Sequence, residues 1–474
     1  MVLRYVRRHF KPLLGIKGLW TFRHTPLAMY WAKLALKDML VETVLKDENL
    51  PPDVTNAHWI AHVVSYAGYL AKIRYEGYDT NDDSKTHWVH FCKDLYRIGY
   101  CADNHLPIVP PLNVIQQKQE WREWIIKRVT GGYTMHALTQ QLIAYDNDTQ
   151  LRKGTEVEVL DKFSISRMRV GYVKEVIGHR VHVRYWDTDA DDQDLSNSFW
   201  CHEQSDAINV VGWSKTVGHA ISAPAGYDPA EIGNSSVIKK NPGVNIQVGM
   251  KLEAVDPLKL SAISAATVVK VLKHGYLMVH IDSAGHALTQ TYRGVESDAN
   301  HGNNRFCYHV TSPLIFPCGF CKENNIELQP PIEFKTDNFD WNEYFKATGA
   351  KPLPLKDLEK EVIDHGFTEG AKLEAVDVME PNLICVATVK RVIGRLLRIG
   401  FDGWEDNYDQ WADATSCDLF PIGWCQLMNY DLQPPHVENQ EPGLKPVSPG
   451  VKRIKSKSGT ASRSKRQSAT SSSD

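Results

Sequence analysis

The feature that most constrains this chain is that it copies itself. "GMKLEAVDPLKL" from Gly249 and "GAKLEAVDVMEP" from Gly370 are near copies, "GTEVEVLDKFSI" from Gly154 is a looser third, and "DMLVETVLKDEN" from Asp38 a weak fourth. Each is followed by a run rich in Val, Ile and Leu that alternates in part and breaks at glycine, as in "AATVVKVLKHGYLMVHID" and "VATVKRVIGRLLRIGFDG". That is the pattern of hairpins. Each unit then closes on a mark, "RIGYC", "VVGWS", "PCGFC" or "PIGWC", whose aromatic is Tyr100, Trp213, Phe320 or Trp424. A spacing of roughly 110 residues is too long for a solenoid repeat and suits a small domain. Helix-like stretches with paired aromatics, "MYWAKLAL", "EWREWIIKRV" and "DWNEYFKATG", stand before strand blocks, and "PP" closes three units at Pro110, Pro330 and Pro434.

The expected fold is therefore mainly β: four small barrels in tandem, each with an N-terminal helical arm. The boundaries are a basic lead-in at 1–21, repeat 1 at 22–111, repeat 2 at 112–222, repeat 3 with its linker at 223–331, and repeat 4 at 332–436. The Lys/Arg- and Ser-rich segment 437–474 cannot bury apolar area and is expected to be disordered.

Composition excludes several classes. Hydrophobic and charged fractions of 42% and 23% are ordinary for a globular chain. No apolar run approaches the ~18 residues of a membrane span, and the basic N-terminus lacks the apolar core and cleavage site of a secretory signal. Residues 437–474 carry eight Lys/Arg against three Asp/Glu, so the net charge of -3 hides an acidic body and a basic tail. An acidic body favours a basic ligand. The tail suits nuclear import, or a weak DNA or RNA contact.

Nine widely spread cysteines form no disulfide framework, and a reducing compartment is the simpler reading. Cys318 and Cys321 have the spacing of half a zinc site. The repeat alignment places Cys318 where the fourth unit has Ile422, Cys321 at Cys425, and Cys307 at Trp411, which are packing slots. No metal or cofactor is expected. Neither a nucleophile elbow, a metalloprotease helix, a phosphate loop nor a dinucleotide fingerprint is present, so the chain does not read as an enzyme.

One stretch stands apart. "FDGWEDNYDQW", residues 401 to 411, sets Phe401, Trp404 and Tyr408 among four acids. The rings either fill a barrel core or form a cage. Core slots should recur in the sister units. Trp411 recurs as Trp88 and Trp200, and Trp424 as Tyr100, Trp213 and Phe320. The cage slots instead read Tyr75, Tyr78 and Asp82 in the first unit and Tyr185, Thr188 and Asp192 in the second. In the third they read Ile281 and Ala284, followed by the insertion "AGHALTQTYRGVESDANHGNN". Trimming of this kind fits a function kept in one unit.

On "GMKLEAVD", "GAKLEAVDVMEPNLICVATV", "FDGWEDNYDQW", "PIGWCQ" and the closing "LQPP", the chain resembles the malignant-brain-tumour (MBT) repeat family, in its four-repeat branch. The resemblance covers roughly residues 22 to 436. Members of that branch often carry a cysteine-rich zinc finger upstream, which these 474 residues do not include. It implies small Tudor-like β-barrels and a methyl-lysine site made of Asp377, Phe401, Trp404 and Tyr408, with Glu380 at the rim. The aspartate recurs as Asp161 and Asp256 and is Leu45 in the first unit. The rings attract an alkylammonium, and the carboxylate accepts from a remaining N–H, favouring mono- and dimethyl-lysine. The resemblance further implies a nuclear chromatin reader of histone tails, acting in transcriptional repression with other subunits of chromatin-modifying complexes. The rival reading is a nucleic-acid-binding or scaffold protein of such a complex, whose barrels serve only protein contacts.

Overall fold

The computed structural model describes residues 21–46, 57–186, 197–233, 238–283, 305–334, 339–357 and 363–435. The lead-in at 1–20, the segment 437–474 and the third-unit insertion at 284–304 lie outside the described residues, as do Thr188, Asp192 and Ala284.

Four antiparallel sheets follow one plan. In repeat 4, Lys372–Val376 pairs with Ile384–Ile393, which pairs with Leu396–Phe401 and then Gln410–Asp413. The two-residue strand Leu419–Phe420 closes back onto the first strand, and Leu432–Gln433 lies parallel to the second. Repeats 2 and 3 repeat this layout, and in repeat 1 an isolated parallel bridge, His58 to Ile108, stands in for the last strand. The second strand is bulged at the same place in all four, between Val63 and Ser65, Val173 and Glu175, Val268 and Lys270, and Val389 and Arg391. A bulge bends its strand and re-aims a side chain.

The terminal marks are explained by one buried acid per repeat. Glu42 accepts from the amides of Gly99 and Cys101, Glu158 from Gly212 and Ser214, Glu253 from Gly319 and Cys321, and Glu374 from Gly423 and Cys425. Each glycine sits at a φ between 89° and 97°, which a side chain would strain. The short helix that follows would otherwise bury unpaired N–H groups. The "E" of "VETV", "VEVL" and "LEAV" is thus the partner of a mark 49 to 68 residues later.

The connectors pack on the barrel before them in the chain. Helix Trp121–Val129 lays Trp121 edge-on to Trp59 and Ile125 into the repeat 1 core. Helix Trp341–Thr348 serves repeat 3: the Trp341 Nε1 donates to Glu253, and Leu353 and Leu355 join that core. Ahead of repeat 3 the described residues contain no helix; Gly, Pro and Asn break that connector, and its Tyr227 hydroxyl donates to Glu158 of repeat 2. A further helix, Thr139–Asp146, was not evident in the sequence. Repeat 4 is completed from the other end of the chain, with Phe22 in its core against Phe367 and His24 bonded to the Leu419 carbonyl.

Three of the recurring aromatics are buried between repeats rather than inside their own barrels, while Trp88, Trp200, Tyr100 and Phe320 are half-buried. Trp424, fully buried, belongs to the repeat 1 cluster, Trp411 to one shared with repeat 3, and Trp213 to one joining repeats 2 and 3.

Neutral histidines line these junctions. His90 bonds the Gly423 carbonyl, and the His24 ring meets His202 and Phe420 edge-on. Burial lowers His24 and His90 to about 4 and His202 to about 2. Arg180 and His179 also face His202, and His179 is raised by its hydrogen bond to Glu203. A histidine held below its unfolded pKa of about 6.5 contributes stability above that pH and loses it as pH falls toward the folded value. His179 offsets part of this, because its pair is favoured below pH 6.5. Glu374, whose buried carboxyl is raised to about 7, offsets a further part, and the three lowered histidines outweigh these two. The melting temperature is expected to fall steadily between pH 7 and 5 in calorimetry, and a flat profile would contradict this account.

Candidate functional site

The stretch 401–411 forms a loop between two strands of repeat 4. Phe401 ends its strand opposite Ala387 and is buried with Leu373, Val389 and Ile399. The chain turns through Gly403 and a single 3-10 turn, Asp406–Tyr408. Trp404, half-buried, packs against the cluster that contains Phe401, and its amide donates to the Phe401 carbonyl at 3.1 Å. Tyr408 is 37% exposed and meets Trp404 edge-to-face, centroids 5.4 Å apart at 63°. The rings make a flight of steps from core to solvent.

The acids among them hold the loop. Asp402 accepts from Lys372 Nζ at 2.6 Å and Thr388 Oγ1 at 2.5 Å. Asp409, 2% exposed, accepts from Lys390 and Arg398, each at 2.8 Å, and Asp406 accepts from Lys390 at 2.5 Å. Burial opposes the charge on Lys390, yet these two carboxylates raise its pKa above the ordinary value. Lys390 is the bulge residue of its strand, and it crosses the neighbouring strand over Gly400. A Cβ at Gly400 would lie 2.1 Å from Lys390 Cε. The sister units carry Arg74, Arg184 and His280 in that register. Lys390 and Gly400 escaped the sequence reading, although a lone glycine in a strand run is a sign that something passes close by.

Asp377 follows the strand Lys372–Val376 and is 6% exposed. Its Oδ1 accepts from the amides of Met379 at 3.0 Å and Glu380 at 3.3 Å, and Glu380 itself is half-buried. The buried Gln410 ties this segment to the strand after Tyr408: its Nε2 donates to the Val376 carbonyl at 2.9 Å, and its Oε1 accepts from the Val378 amide at 3.3 Å. Gln410 was also missed.

The sister sites are filled differently. In repeat 2, Asp161 is fully buried and accepts from the Phe163 amide, but its second oxygen accepts from Arg167 Nε at 2.8 Å. Arg169 lies 4.8 Å over the Tyr185 ring and 3.7 Å from Asp161. The chain's own guanidinium groups thus occupy both acid and ring. In repeat 3, Asp256 accepts from the amides of Leu258 and Lys259, and the ring slot is a buried Ile281. Repeat 1 keeps Tyr75 and Tyr78, 6.2 Å apart, beside a buried Leu45, while Asp82 caps a turn at Ser84.

Cys318 packs near Ala265 and Trp341, and Cys321 is buried with its amide on Glu253. Burial raises both thiols far above the ordinary value. Among the described residues, no group of three or more His, Cys, Asp or Glu is placed to hold a metal, and no helix is long and apolar enough to cross a membrane.

A family model described as the mbt repeat matches residues 46–115, 155–228, 250–335 and 371–439. The chain is similar to MBT domain-containing protein 1 of Xenopus laevis, 41% identical over 444 residues, covering 92% of this chain and 68% of that protein. Against the Homo sapiens protein of that name it is 41% identical over 423 residues, covering 87% and 64%. Polycomb protein Sfmbt of Drosophila melanogaster is 38% identical over 450 residues, covering 89% of this chain and 35% of that one. The chain therefore spans about two thirds of the first kind of relative and about a third of the second. Among solved structures it is similar to the four MBT repeats of Drosophila melanogaster Sfmbt, crystallised with the peptide RHR(me)KVLR. The TM-score is 0.76 at 36% identity, covering 91% of this chain and 98% of that one.

Proposed function

The chain belongs to the malignant-brain-tumour repeat family, and from that premise we propose that it is a methyl-lysine reader whose site is the fourth repeat. Asp377, Phe401, Trp404 and Tyr408 take mono- and dimethyl-lysine on histone tails, and the protein serves chromatin regulation in the nucleus alongside other subunits of chromatin complexes. The reading is of a binding module and not of an enzyme. The observation that carries it is the contrast among repeats. Only the fourth combines three rings at these slots with an aspartate; the second engages its aspartate with Arg167, the third has Ile281, and the first has Leu45.

The chemistry follows from the parts. A methylated ammonium keeps its charge and sheds water readily, and each well-placed ring face attracts it by about 0.5–2 kcal/mol. Rings do not rank the methylation states. Asp377 does, because a carboxylate rewards an N–H that trimethyl-lysine lacks. The methylated peptide held by the Sfmbt repeats supports this reading, and so does the Polycomb name of that relative. A weak DNA or RNA contact belongs to the basic segment after 436 and would fall steeply with salt.

The test is a titration of unmodified, mono-, di- and trimethyl-lysine peptides. Wild type should prefer the mono- and dimethyl forms. Asp377→Ala should bind all of them weakly and discriminate little. Full affinity with unchanged preference in that variant would refute the assignment.

A further inference from the structure

We propose that Gln410 is the positioning residue that sets Asp377 for its ligand, in a role that tyrosine hydroxyls fill elsewhere in the chain. This rests on the reading of repeat 4 as the methyl-lysine site and names what makes that site competent.

The strand before each aspartate slot ends on a carbonyl that leaves the ladder, and in repeats 1, 2 and 4 the residue after the slot adds an amide; in repeat 3 that residue is Pro257, which has no N–H. These groups are half-buried or buried in most of the repeats, and side chains pair them. In repeat 1 the hydroxyl of Tyr75 serves both, donating to the Val44 carbonyl at 3.0 Å and accepting from the Lys46 amide at 2.8 Å. In repeat 2 Tyr185 does the same for the Leu160 carbonyl at 2.8 Å and the Lys162 amide at 2.9 Å. Tyr75 and Tyr185 occupy the register of Phe401, opposite Ala61 and Gly171 as Phe401 is opposite Ala387. That position is the first ring slot.

Where the slot lacks a hydroxyl, the partner comes from the next strand. Repeat 3 has Ile281 there, and Tyr308 donates to the Val255 carbonyl at 3.1 Å. Repeat 4 has Phe401, and Gln410 supplies both a donor, to the Val376 carbonyl, and an acceptor, for the Val378 amide. The two conditions go together in all four repeats. A tyrosine at the slot is anchored by its hydroxyl to the backbone beside the acid. Handing that duty to a buried amide frees the ring position to be phenylalanine, and fixes from below the peptide groups on either side of Asp377. Gln410 touches no ligand.

The experiment uses the full chain with Gln410→Met, which keeps length and loses both polar groups. Two quantities are read: amide exchange at Val378 without ligand, and the ratio of dimethyl- to trimethyl-lysine peptide affinity. Val378 should exchange faster, and the ratio should fall about ten-fold, one hydrogen bond's worth, with trimethyl affinity nearly unchanged. Adding Phe401→Tyr to Gln410→Met should restore Val378 protection and the ratio, since the hydroxyl is set as in Tyr185. If Gln410→Met does not fold, Gln410→Glu replaces it; it keeps the acceptor for Val378 and loses the donor to Val376, so the ratio should fall with Val378 still protected, and an unaltered ratio in that variant overturns the proposal equally. An unaltered ratio with Val378 deprotected, or no restoration by Phe401→Tyr, overturns the proposal. A wild-type protein that binds no methylated peptide would instead sink the reading of the site, while Val378 exchange still decides whether Gln410 makes the bridge.

Discussion

Replacing Glu374 with alanine is expected to lower the stability of the four-repeat unit by about 3–5 kcal/mol, the range for a buried network broken from one side. The Glu374 carboxylate is 3% exposed and accepts from the amides of Gly423 at 2.7 Å and Cys425 at 2.8 Å. Burial pushes this carboxyl up to about 7, against those two donors. Alanine leaves both amides buried without an acceptor and opens a void. The damage does not stay in repeat 4, because the helix begun by those amides carries Trp424 into the repeat 1 cluster. Chemical denaturation should show an early midpoint, with Gly423 and Cys425 amides exchanging first. Glu374→Gln, which keeps one acceptor oxygen, should cost clearly less. Equal losses for the two variants would mean that the side-chain volume, and not the pair of hydrogen bonds, is what matters.

Trp404→Ala should abolish measurable binding of every methylated peptide, as a Kd raised on the order of 10- to 100-fold would do to a weak reader. The indole is the middle step between the buried Phe401 and the exposed Tyr408. Its loss removes one ring face and also the edge that orients Tyr408. The charge pinning of the loop by Lys390 and Arg398 lies on Asp406 and Asp409, so the fold should survive. Trp404→Phe, which restores an aromatic face, should recover part of the affinity. Retained binding in the alanine variant, with an unchanged melting temperature, would move the site elsewhere.

These expectations mark where the sequence was informative. The four-fold plan was legible because hydrophobic alternation, glycine breaks and the recurring "LEAVD" are local signals. The destination of the helical connectors was not. The aromatic pair of "EWREWIIKRV" says that one face wants burial, but Trp121 finds Trp59 of the preceding barrel. Trp411 and Trp424 were read as core from their recurrence; both are buried, but their partners belong to repeats 3 and 1, and Trp88, Trp200, Tyr100 and Phe320 in the matching slots are only half-buried. At the candidate site the rings and Asp377 stood out by contrast with their sister slots. Lys390, Gly400 and Gln410 did not, because their roles depend on a bulge and on cross-strand register. A lysine in a strand looks like any other until the strand bends.

The attachment of residues 21–25 to repeat 4 has a consequence for synthesis. Thr21 bonds the carbonyl of His365, 344 residues later, and Phe22 rests on Phe367. A ribosome adding about 5–20 residues per second needs roughly 20 to 70 s to cover that distance. For that interval the first described residues have no place to go, and Phe22 waits with its ring unburied. Repeat 4 must recruit a segment made long before it, and repeat 1 in turn takes Trp424 of repeat 4 into its cluster. Completion therefore waits on repeat 4 and draws the two ends of the described unit together. Cutting the gene between repeats would divide barrels from the segments that finish them.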